Sequence, residues 1–287
     1  MPTLKRNHAG IFLNIDAEKI LVDCGEGIQR QFKTAKINPC KLTKLLITHW
    51  HGDHVLGIPG LLQTLYMSEY AKTLNIYGPG GTKSKFELLE ELYGKFKIKH
   101  NIKEIAKGRF VETKDFIIEA MPMNHGIPTV AYSLTFKDKL KINKKKLKKL
   151  KLPNSSLIGE LQKGKDIKHP ETKKTIKTKS ITYLEKGKKI TIIMDTEKNA
   201  NAIKLANNSD ILICESSYLS SESKKAKEHK HLTATQAAEI AKKAKVKKLV
   251  LTHLSHRYEN NPKEILKEAE KTFKNTKLAK DFDRFVI

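Results

Sequence analysis

Residues 45–54 read LLITHWHGDH, in which an apolar run leads directly into three histidines and an aspartate. Successive side chains of an extended strand alternate between its two faces, so His49 and His51 can share one face at the strand end. The glycine that follows allows a tight turn, after which Asp53 and His54 can point to a second position nearby. Imidazole and carboxylate groups are common zinc ligands. The last six residues of this stretch, here called the histidine loop, could therefore serve two metal ions. The alternative is a polar loop whose histidines cluster by chance.

Three more candidate ligands follow apolar stretches further along the chain. They are His125, then Asp195 after the run 190–194, and finally His253 after the run 249–252. If these strands share a sheet, the three side chains can converge at one edge with the histidine loop. A single histidine at a strand end is more often a structural residue, but the whole set offers seven ligands. With one carboxylate bridging, such a set suits two metal ions about 3.5–4 Å apart.

Strand-like and helix-like segments alternate along the chain, and this pattern predicts the fold class. The predicted strands are 12–15, 19–23, 45–48, 74–77, 116–123, 130–136, 189–194, 211–214 and 248–252. The predicted helices are 26–36, 56–70, 83–93, 197–206, 233–245 and 262–273. Strands in both halves with helices between them predict an α/β (α+β) protein. We expect an αββα sandwich, in which two sheets pack together and helices cover their outer faces.

The cysteines and the apolar stretches limit the class of protein. Cys24, Cys40 and Cys214 stand singly, without a CxxC pair. This argues against a disulfide scaffold and is typical of a reducing, cytoplasmic location. No stretch approaches 18 uncharged apolar residues, which argues against a membrane span.

The charge of the chain is strongly positive. There are 56 lysines and arginines against 31 acidic residues, which gives a net charge of +25. Such a surface attracts polyanions, above all nucleic acid. A lysine-rich proteome or a high-salt interior would also give a high isoelectric point, so charge alone does not decide the partner.

A lysine-rich segment at 137–179 differs from the rest of the sequence. It holds 16 lysines and four acidic residues, and its apolar residues show little periodicity. Such a segment cannot bury enough surface to belong to the main core. It could be an arm that grips a phosphate backbone with salt-dependent affinity, or a solvated, disordered insert without a partner. Its leucines could form two small helices that pack on each other. The lysines that we single out as candidate RNA contacts are Lys144, Lys145, Lys146, Lys148 and Lys149.

Three motifs together resemble ribonuclease Z, a tRNA 3′-processing endonuclease family of the metallo-β-lactamase fold. The histidine loop fits the superfamily pattern HxHxDH. Residues 23–31, DCGEGIQRQ, resemble the family signature DCGEGxQRQ, and residues 251–258, LTHLSHRY, are similar to LTHxSxRY. The likeness covers nearly the whole chain, and the length resembles the short form of the family.

The resemblance implies a set of metal ligands. It implies two Zn²⁺ ions per subunit, one held by His49, His51 and His125 and the other by Asp53, His54 and His253, with Asp195 bridging them. Mn²⁺ or Fe²⁺ could replace zinc, since histidine and aspartate sites accept several metals. Asp53 would also orient or deprotonate the attacking water.

The resemblance also implies residues that act on the RNA. Glu215 and His231 would form the pair that protonates the leaving ribose 3′-oxygen. Taken alone, Glu215 is more often a simple loop carboxylate, and His231 is more often a neighbour of a helix cap. Arg6 and Arg257 are candidate phosphate contacts near the cleavage site, and Ser217 could assist there.

The expected activity is zinc-dependent removal of the 3′ trailer from precursor tRNA. The tRNA would keep a 3′-hydroxyl, and the trailer would carry a 5′-phosphate. We expect a homodimer in the cytoplasm, with one metallo-β-lactamase-fold domain over 1–287 that lacks the family's usual first strand. Within it, 137–180 would be a flexible arm, an exosite that clamps tRNA.

Two other functions remain open from the sequence. One is a hydrolase of the same fold that acts on small phosphodiesters or sulfate esters. The other is a non-catalytic nucleic-acid-binding protein with a retained metal site. The basic arm favours an RNA substrate over a small molecule, and the complete ligand set favours an enzyme.

Overall fold

The computed structural model describes residues 2–150, 152 and 156–287, which cluster into two units. The first unit consists of the residues up to 112 together with 118–134 and 189–287, and the second consists of 113–117 and 135–188. The second unit is wider than the predicted arm 137–180, of which residues 151 and 153–155 lie outside the described part.

Two large sheets contain most of the described strands. The five-stranded sheet has, in spatial order, β1 (Ile11–Ile15), β2 (Glu18–Val22), β3 (Lys44–Leu46), β4 (Leu74–Gly78) and β5 (His100–Glu104). The seven-stranded sheet has, from one edge to the other, β6 (Gly108–Glu112), β7 (Phe116–Asn124), β8 (Pro128–Phe136), β13 (Lys189–Ile193), β14 (Ile211–Glu215), β15 (Lys248–Thr252) and β16 (Thr276–Leu278). The strands β13 to β16 are parallel neighbours. The short strands of the second unit are β9 (Lys139–Ile142), β10 (Ile167–Lys168), β11 (Thr175–Ile176) and β12 (Thr182–Glu185).

The helices complete the list of elements. Those of the first unit are α1 (Ile28–Thr34), α2 (Gly52–Val55), α3 (Ile58–Met67), α4 (Thr82–Tyr93), α8 (Ala200–Ala206), α9 (Ser223–Glu228), α10 (Ala234–Lys243) and α11 (Lys263–Thr272). Those of the second unit are α5 (Lys144–Lys149), α6 (Ser156–Gln162) and α7 (Thr178–Ile181). Single 3-10 turns lie at Pro39–Lys41, Ser220–Glu222 and His256–Tyr258. None of the described helices combines the length and apolar character needed to cross a bilayer.

The middle of the five-stranded sheet is buried on both faces, since all three residues of β3 are buried. Leu45 belongs to a buried cluster with Phe32 of α1 and Leu62 of α3. The next residue, Leu46, points to the opposite face, as strand geometry requires. There it lies near Tyr132 of the seven-stranded sheet, across a small void. The two sheets therefore pack face to face.

Helices cover the outer face of the seven-stranded sheet as well. Leu212 and Leu249 of the parallel strands belong to one buried cluster with Leu205 of α8, Ala238 of α10 and Ile265 of α11. Small alanines on α10 allow that helix to lie close to the strands. Each sheet thus has helices outside and the other sheet inside, which confirms the predicted αββα sandwich.

Most predicted helices and strands agree with the structure. The differences are helix ends that tertiary contacts set and strands that were not predicted. The helix predicted over 56–70 is shorter in the structure, where α3 covers Ile58–Met67 and the Gly57 N–H before it donates to Cys24 O at 2.9 Å. The short helix α2, which overlaps the histidine loop, was not predicted. The helix predicted from residue 26 begins only at Ile28, after Gly27 in the left-handed region at φ 74°. The strands β5, β6 and β16 were not predicted, since their sequences are short and mostly polar at sheet edges.

The second unit has a small hydrophobic cluster of its own. Leu161, Ile167, Ile176 and Ile181 are buried together, with partly buried leucines of α5 and α6 packed against them. The two small helices expected from the leucines are therefore present. The five candidate lysines all lie on α5 and are exposed: Lys144, Lys145, Lys146, Lys148 and Lys149.

Candidate metal centre

The carboxyl ends of neighbouring parallel strands carry several of the candidate residues. Asp195 follows β13, Glu215 ends β14 and His253 follows β15. Because β13, β14 and β15 are parallel and adjacent, these ends lie at one edge of the sheet. The histidine loop, after β3, and His125, after β7, reach the same place.

The seven candidate ligands form two groups that a metal ion could occupy. Within each group, one nitrogen or oxygen atom of every residue lies within 4.8 Å of the others. The first group is His49, His51, His125 and Asp195, and the second is Asp53, His54 and His253.

Asp195 lies between the two groups. Its Oδ2 atom is 3.6 Å from His49 Nε2 and 3.6 Å from His125 Nε2, both of the first group. The same oxygen is 3.5 Å from His54 Nε2 of the second group. One carboxylate oxygen therefore faces imidazoles of both groups, as a bridging ligand would.

The donor atoms fit a cation better than they fit one another. His49 Nε2 and Asp195 Oδ1 are buried, and within the described residues neither makes a well-aligned hydrogen bond, although His253 Nδ1 lies 3.1 Å from Asp195 Oδ1. His54 Nε2 and His253 Nε2 face each other at 3.3 Å. Buried polar atoms normally have partners, and leaving one without a partner costs free energy. A positive ion between these lone pairs would satisfy them, so the residues present fit the metal centre.

Burial and neighbouring charges set the protonation of the imidazoles. Burial, with the nearby His54, lowers the pKa of His49 to about 2, so its ring is neutral and able to act as a ligand. Burial would also lower the pKa of His54, but Asp195 and Asp23 outweigh it and raise that pKa well above its usual value. The site thus concentrates negative charge around the second group, which favours a cation there.

A second layer of hydrogen bonds fixes the ligand rings. His54 Nδ1 is 2.7 Å from Asp23 Oδ2, and Thr48 donates to the same carboxylate through both its N–H and its hydroxyl. His125 Nδ1 is 3.0 Å from the carbonyl oxygen of Lys230. Such contacts hold the other ring nitrogen towards a metal. No role was predicted for Asp23, although it opens the motif at 23–31.

Two glycines explain how this motif holds the histidine loop. A Cβ on Gly57 would lie 2.1 Å from Gly25 O, and a Cβ on Gly25 would lie 2.6 Å from Asp53 O. The backbones are close enough for the Cys24 N–H to donate to His54 O at 2.7 Å. The motif therefore clamps the loop through main-chain contacts that only glycine permits.

The buried Glu215 and the partly buried His231 form a pair beside the candidate ligands. His231 Nδ1 is 3.0 Å from Glu215 Oε1, and the carboxylate also accepts from Thr196 N at 2.7 Å and Ser217 Oγ at 2.8 Å. Burial lowers the pKa of His231, but the Glu215 carboxylate outweighs this and raises it to about 9. His231 Nδ1 also lies 4.0 Å from Asp195 Oδ2, so the ring stands next to the centre.

A cleft of about 340 Å³ opens above the centre, and Asp195 and His231 are among the residues that line it. Its outer walls contain residues that the sequence did not single out, namely Tyr218, His229, Ser255 and His256. Of the predicted phosphate contacts, Arg257 lines this cleft. Arg6 does not, and it lies beside Asp281 and Asp283. The five candidate lysines belong to the second unit.

Comparisons of the sequence with known proteins match one family model and a set of curated relatives. Residues 3–152 match the sequence-family model described as "Anti-Pycsar protein Apyc1". Over 293 residues the chain is 37% identical to ribonuclease Z of Listeria monocytogenes serotype 4b (strain CLIP80459), and the match covers 100% of this chain and 96% of that protein.

Solved structures show the same fold. The crystal structure of human tRNase Z, short form (ELAC1), has a TM-score of 0.69 and 26% identity, covering 98% of this chain and 93% of that one. YhfI from Bacillus subtilis, a metallo-beta-lactamase fold protein, has a TM-score of 0.70 and 19% identity, covering 98% and 91%. The sandwich is therefore a metallo-β-lactamase fold. The chain belongs to the ribonuclease Z family, and residues 3–152 also make it a member of the family that the Apyc1 model describes.

Proposed function

We propose that this protein is a metal-dependent endoribonuclease that removes the 3′ trailer from precursor tRNA. The products would be tRNA with a 3′-hydroxyl and a trailer with a 5′-phosphate. The proposal depends above all on one observation, that Asp195 Oδ2 lies within 3.6 Å of imidazoles from both ligand groups. Relatives named ribonuclease Z and tRNase Z support the choice of precursor tRNA as substrate.

The residues of the centre would hold two Zn²⁺ ions per subunit, with Mn²⁺ or Fe²⁺ as alternatives. His49, His51 and His125 would bind one ion, Asp53, His54 and His253 would bind the other, and Asp195 would bind both. When bound, such a pair supplies a nucleophile at neutral pH and offsets the negative charge that develops on the phosphate.

The chain's own groups would handle the protons. Asp53 keeps part of its side chain exposed towards the cleft, so its carboxylate can orient the attacking water and accept a proton from it. His231 would give a proton to the ribose 3′-oxygen as the bond to phosphorus breaks. Glu215 holds Nδ1 of that ring, which leaves Nε2 for the transfer.

Positive charge would bind the RNA outside the centre. Arg257, which lines the cleft, would contact a phosphate next to the scissile bond. The exposed lysines of α5 in the second unit would form the exosite that clamps tRNA, since structured RNA is recognised mainly through shape and backbone. We propose a domain organisation of one catalytic domain with this unit as its arm, in a cytoplasmic homodimer.

A direct assay tests the function. Purified protein is incubated with precursor tRNA that carries a 3′ trailer, with and without a chelator, and the product ends are mapped. We expect one cut at the trailer boundary, with the stated end groups, that the chelator abolishes and added Zn²⁺ restores. Hydrolysis of a small phosphodiester without cleavage of precursor tRNA, or cleavage that ignores the chelator, would refute the proposal.

A further inference from the structure

Arginine is rare in this basic chain. Of the 56 lysines and arginines, five are arginines: Arg6, Arg30, Arg109, Arg257 and Arg284. Across the described residues, Arg257 is the one arginine that lines the cleft. Lysine provides charge anywhere on a surface, whereas the planar guanidinium provides a fixed set of donors that matches phosphate oxygens. The arginine at position 257 therefore supplies a fixed arrangement of hydrogen-bond donors as well as a positive charge.

Three neighbours fix the guanidinium of Arg257. Its Nη1 atom lies 2.5 Å from Glu222 Oε1, and its Nε donates to Ser255 Oγ at 3.1 Å. The guanidinium carbon lies 5.2 Å from the centre of the Tyr218 ring, within cation–π distance. A guanidinium has five N–H donors. Most of them thus stay available to an anion in the cleft while the group is held in place.

Glu222 also holds the residue after Arg257. The Tyr258 hydroxyl donates to Glu222 Oε2 and accepts from the Leu219 N–H at 3.1 Å. Tyr258 is buried, so this hydroxyl gives the carboxylate a rigid support. Hydrogen bonds from Lys225 and Tyr258 lower the pKa of Glu222 to about 2, which keeps the carboxylate ionised. One carboxylate therefore links both residues of the Arg-Tyr step to the turn before α9.

We propose that Glu222 is a positioning residue that orients the Arg257 guanidinium towards a phosphate group of the RNA substrate. The inference rests on the proposed function for the identity of that anion. A free arginine side chain loses rotamer entropy when it is ordered. Glu222, Ser255 and Tyr218 order it before the substrate arrives, so less binding energy is lost in fixing it.

An exposed ion pair without this function would behave differently. Such pairs contribute little to stability, and their loss leaves substrate affinity unchanged. If Glu222 acts through Arg257, its removal must raise KM, and this effect must vanish when Arg257 is absent. The two interpretations therefore differ in a double-mutant cycle.

The test compares Glu222→Gln with wild type in steady-state cleavage of precursor tRNA. Gln keeps the shape but loses the charge, so we expect KM to rise about tenfold, with kcat within about twofold and Tm unchanged. Tyr258→Phe should shift KM in the same direction by less. Glu228→Gln, an exposed glutamate on α9, is the matched control and should leave both constants unchanged. On an Arg257→Ala background, Glu222→Gln should cause no further loss.

An NMR measurement tests, independently of activity, whether Glu222 orders the Arg257 side chain. Five arginines give few Nε–H signals, and the Arg257 signal is identified by its loss in Arg257→Ala. We expect a rigid signal in wild type, with an order parameter of about 0.8, that falls below about 0.6 in Glu222→Gln. An unchanged order parameter, an unchanged KM, or an equal loss on the Arg257→Ala background would each overturn the inference. If wild type does not cleave precursor tRNA, the proposed function fails while the NMR result still stands.

Discussion

Asp23 and His54 are joined by a contact of 2.7 Å between Oδ2 and Nδ1, although 31 positions separate them in the sequence. The contact turns His54 Nε2 towards Asp195 and His253. Asp23 has a left-handed backbone at φ 59°, which costs free energy for a residue other than glycine. Strain of this kind persists where the surrounding structure enforces it, here through the two hydrogen bonds from Thr48.

Asp23→Asn tests whether this contact supports metal binding. The amide keeps the shape but removes the charge that orients the ring, and outer-layer partners of this kind typically change metal affinity about 10–100-fold. We expect Zn²⁺ affinity, measured by competition with a chromogenic chelator, to fall by about tenfold or more. Asp16→Asn is the matched control, because Asp16 is exposed and also has a positive φ, of 43°. Equal affinities for the two variants would contradict the assigned role.

His231→Ala tests the proton donor. We expect kcat for precursor tRNA to fall about 10²–10⁴-fold, because a positioned acid contributes about that much, while RNA affinity is retained. Rates come from single-turnover assays and affinities from filter binding. His100→Ala, which changes a half-exposed histidine of β5, should keep the wild-type rate. An unchanged rate for His231→Ala would remove it as the acid.

The sequence indicated the candidate metal ligands because the type of each side chain already suggests its chemistry. Histidines and aspartates directly after apolar strands are recognisable without knowledge of their neighbours, and parallel strands then bring their ends together. Asp195 at the end of β13 and His253 at the end of β15 are examples. The same logic indicated the sandwich, since long apolar strands and amphipathic helices are local patterns.

Residues whose role depends on a distant partner could not be found in this way. Glu222 is one of many acidic residues in the sequence, and its contact with Arg257 crosses 35 positions. The helix predicted over 56–70 likewise begins only at Ile58, after the main-chain contact of Gly57 with Cys24. In each case a tertiary hydrogen bond overrides or adds to the local pattern.

The lysines of α5 provide a test of the exosite. Changing Lys144, Lys145, Lys146, Lys148 and Lys149 to Gln should weaken precursor binding and lower the salt dependence of affinity. Each phosphate contact contributes about 0.9 to the slope of log K against log salt for a duplex, so five would contribute about 4.5. Hydrolysis of bis(p-nitrophenyl) phosphate should be unchanged.

A control for the lysine variant comes from the first unit. The exposed lysines of α10 and α11 are Lys242, Lys243, Lys263, Lys267 and Lys271. Their replacement by Gln makes the same change in net charge. If both variants lose the same affinity, the binding depends on overall charge and α5 has no special role. If the α5 variant also loses activity on the small substrate, the second unit supports the fold of the centre.

The packing between the sheets gives a prediction about stability. Ser133 is 1% exposed and lines the small void between the sheets, and its Oγ has no hydrogen-bond partner among the described residues. A buried hydroxyl without a partner costs about 1–3 kcal/mol. Ser133→Ala removes the hydroxyl at the expense of a slightly larger void, so we expect the free energy of unfolding to rise by about 1 kcal/mol.

Ser209→Ala is the comparison, because Ser209 Oγ shares a 2.7 Å hydrogen bond with Thr191 Oγ1 and is also buried. That variant should lose stability, since it leaves the Thr191 hydroxyl without this partner. Urea unfolding of both proteins measures the two changes, and a loss of stability in Ser133→Ala would show that its hydroxyl is satisfied in solution.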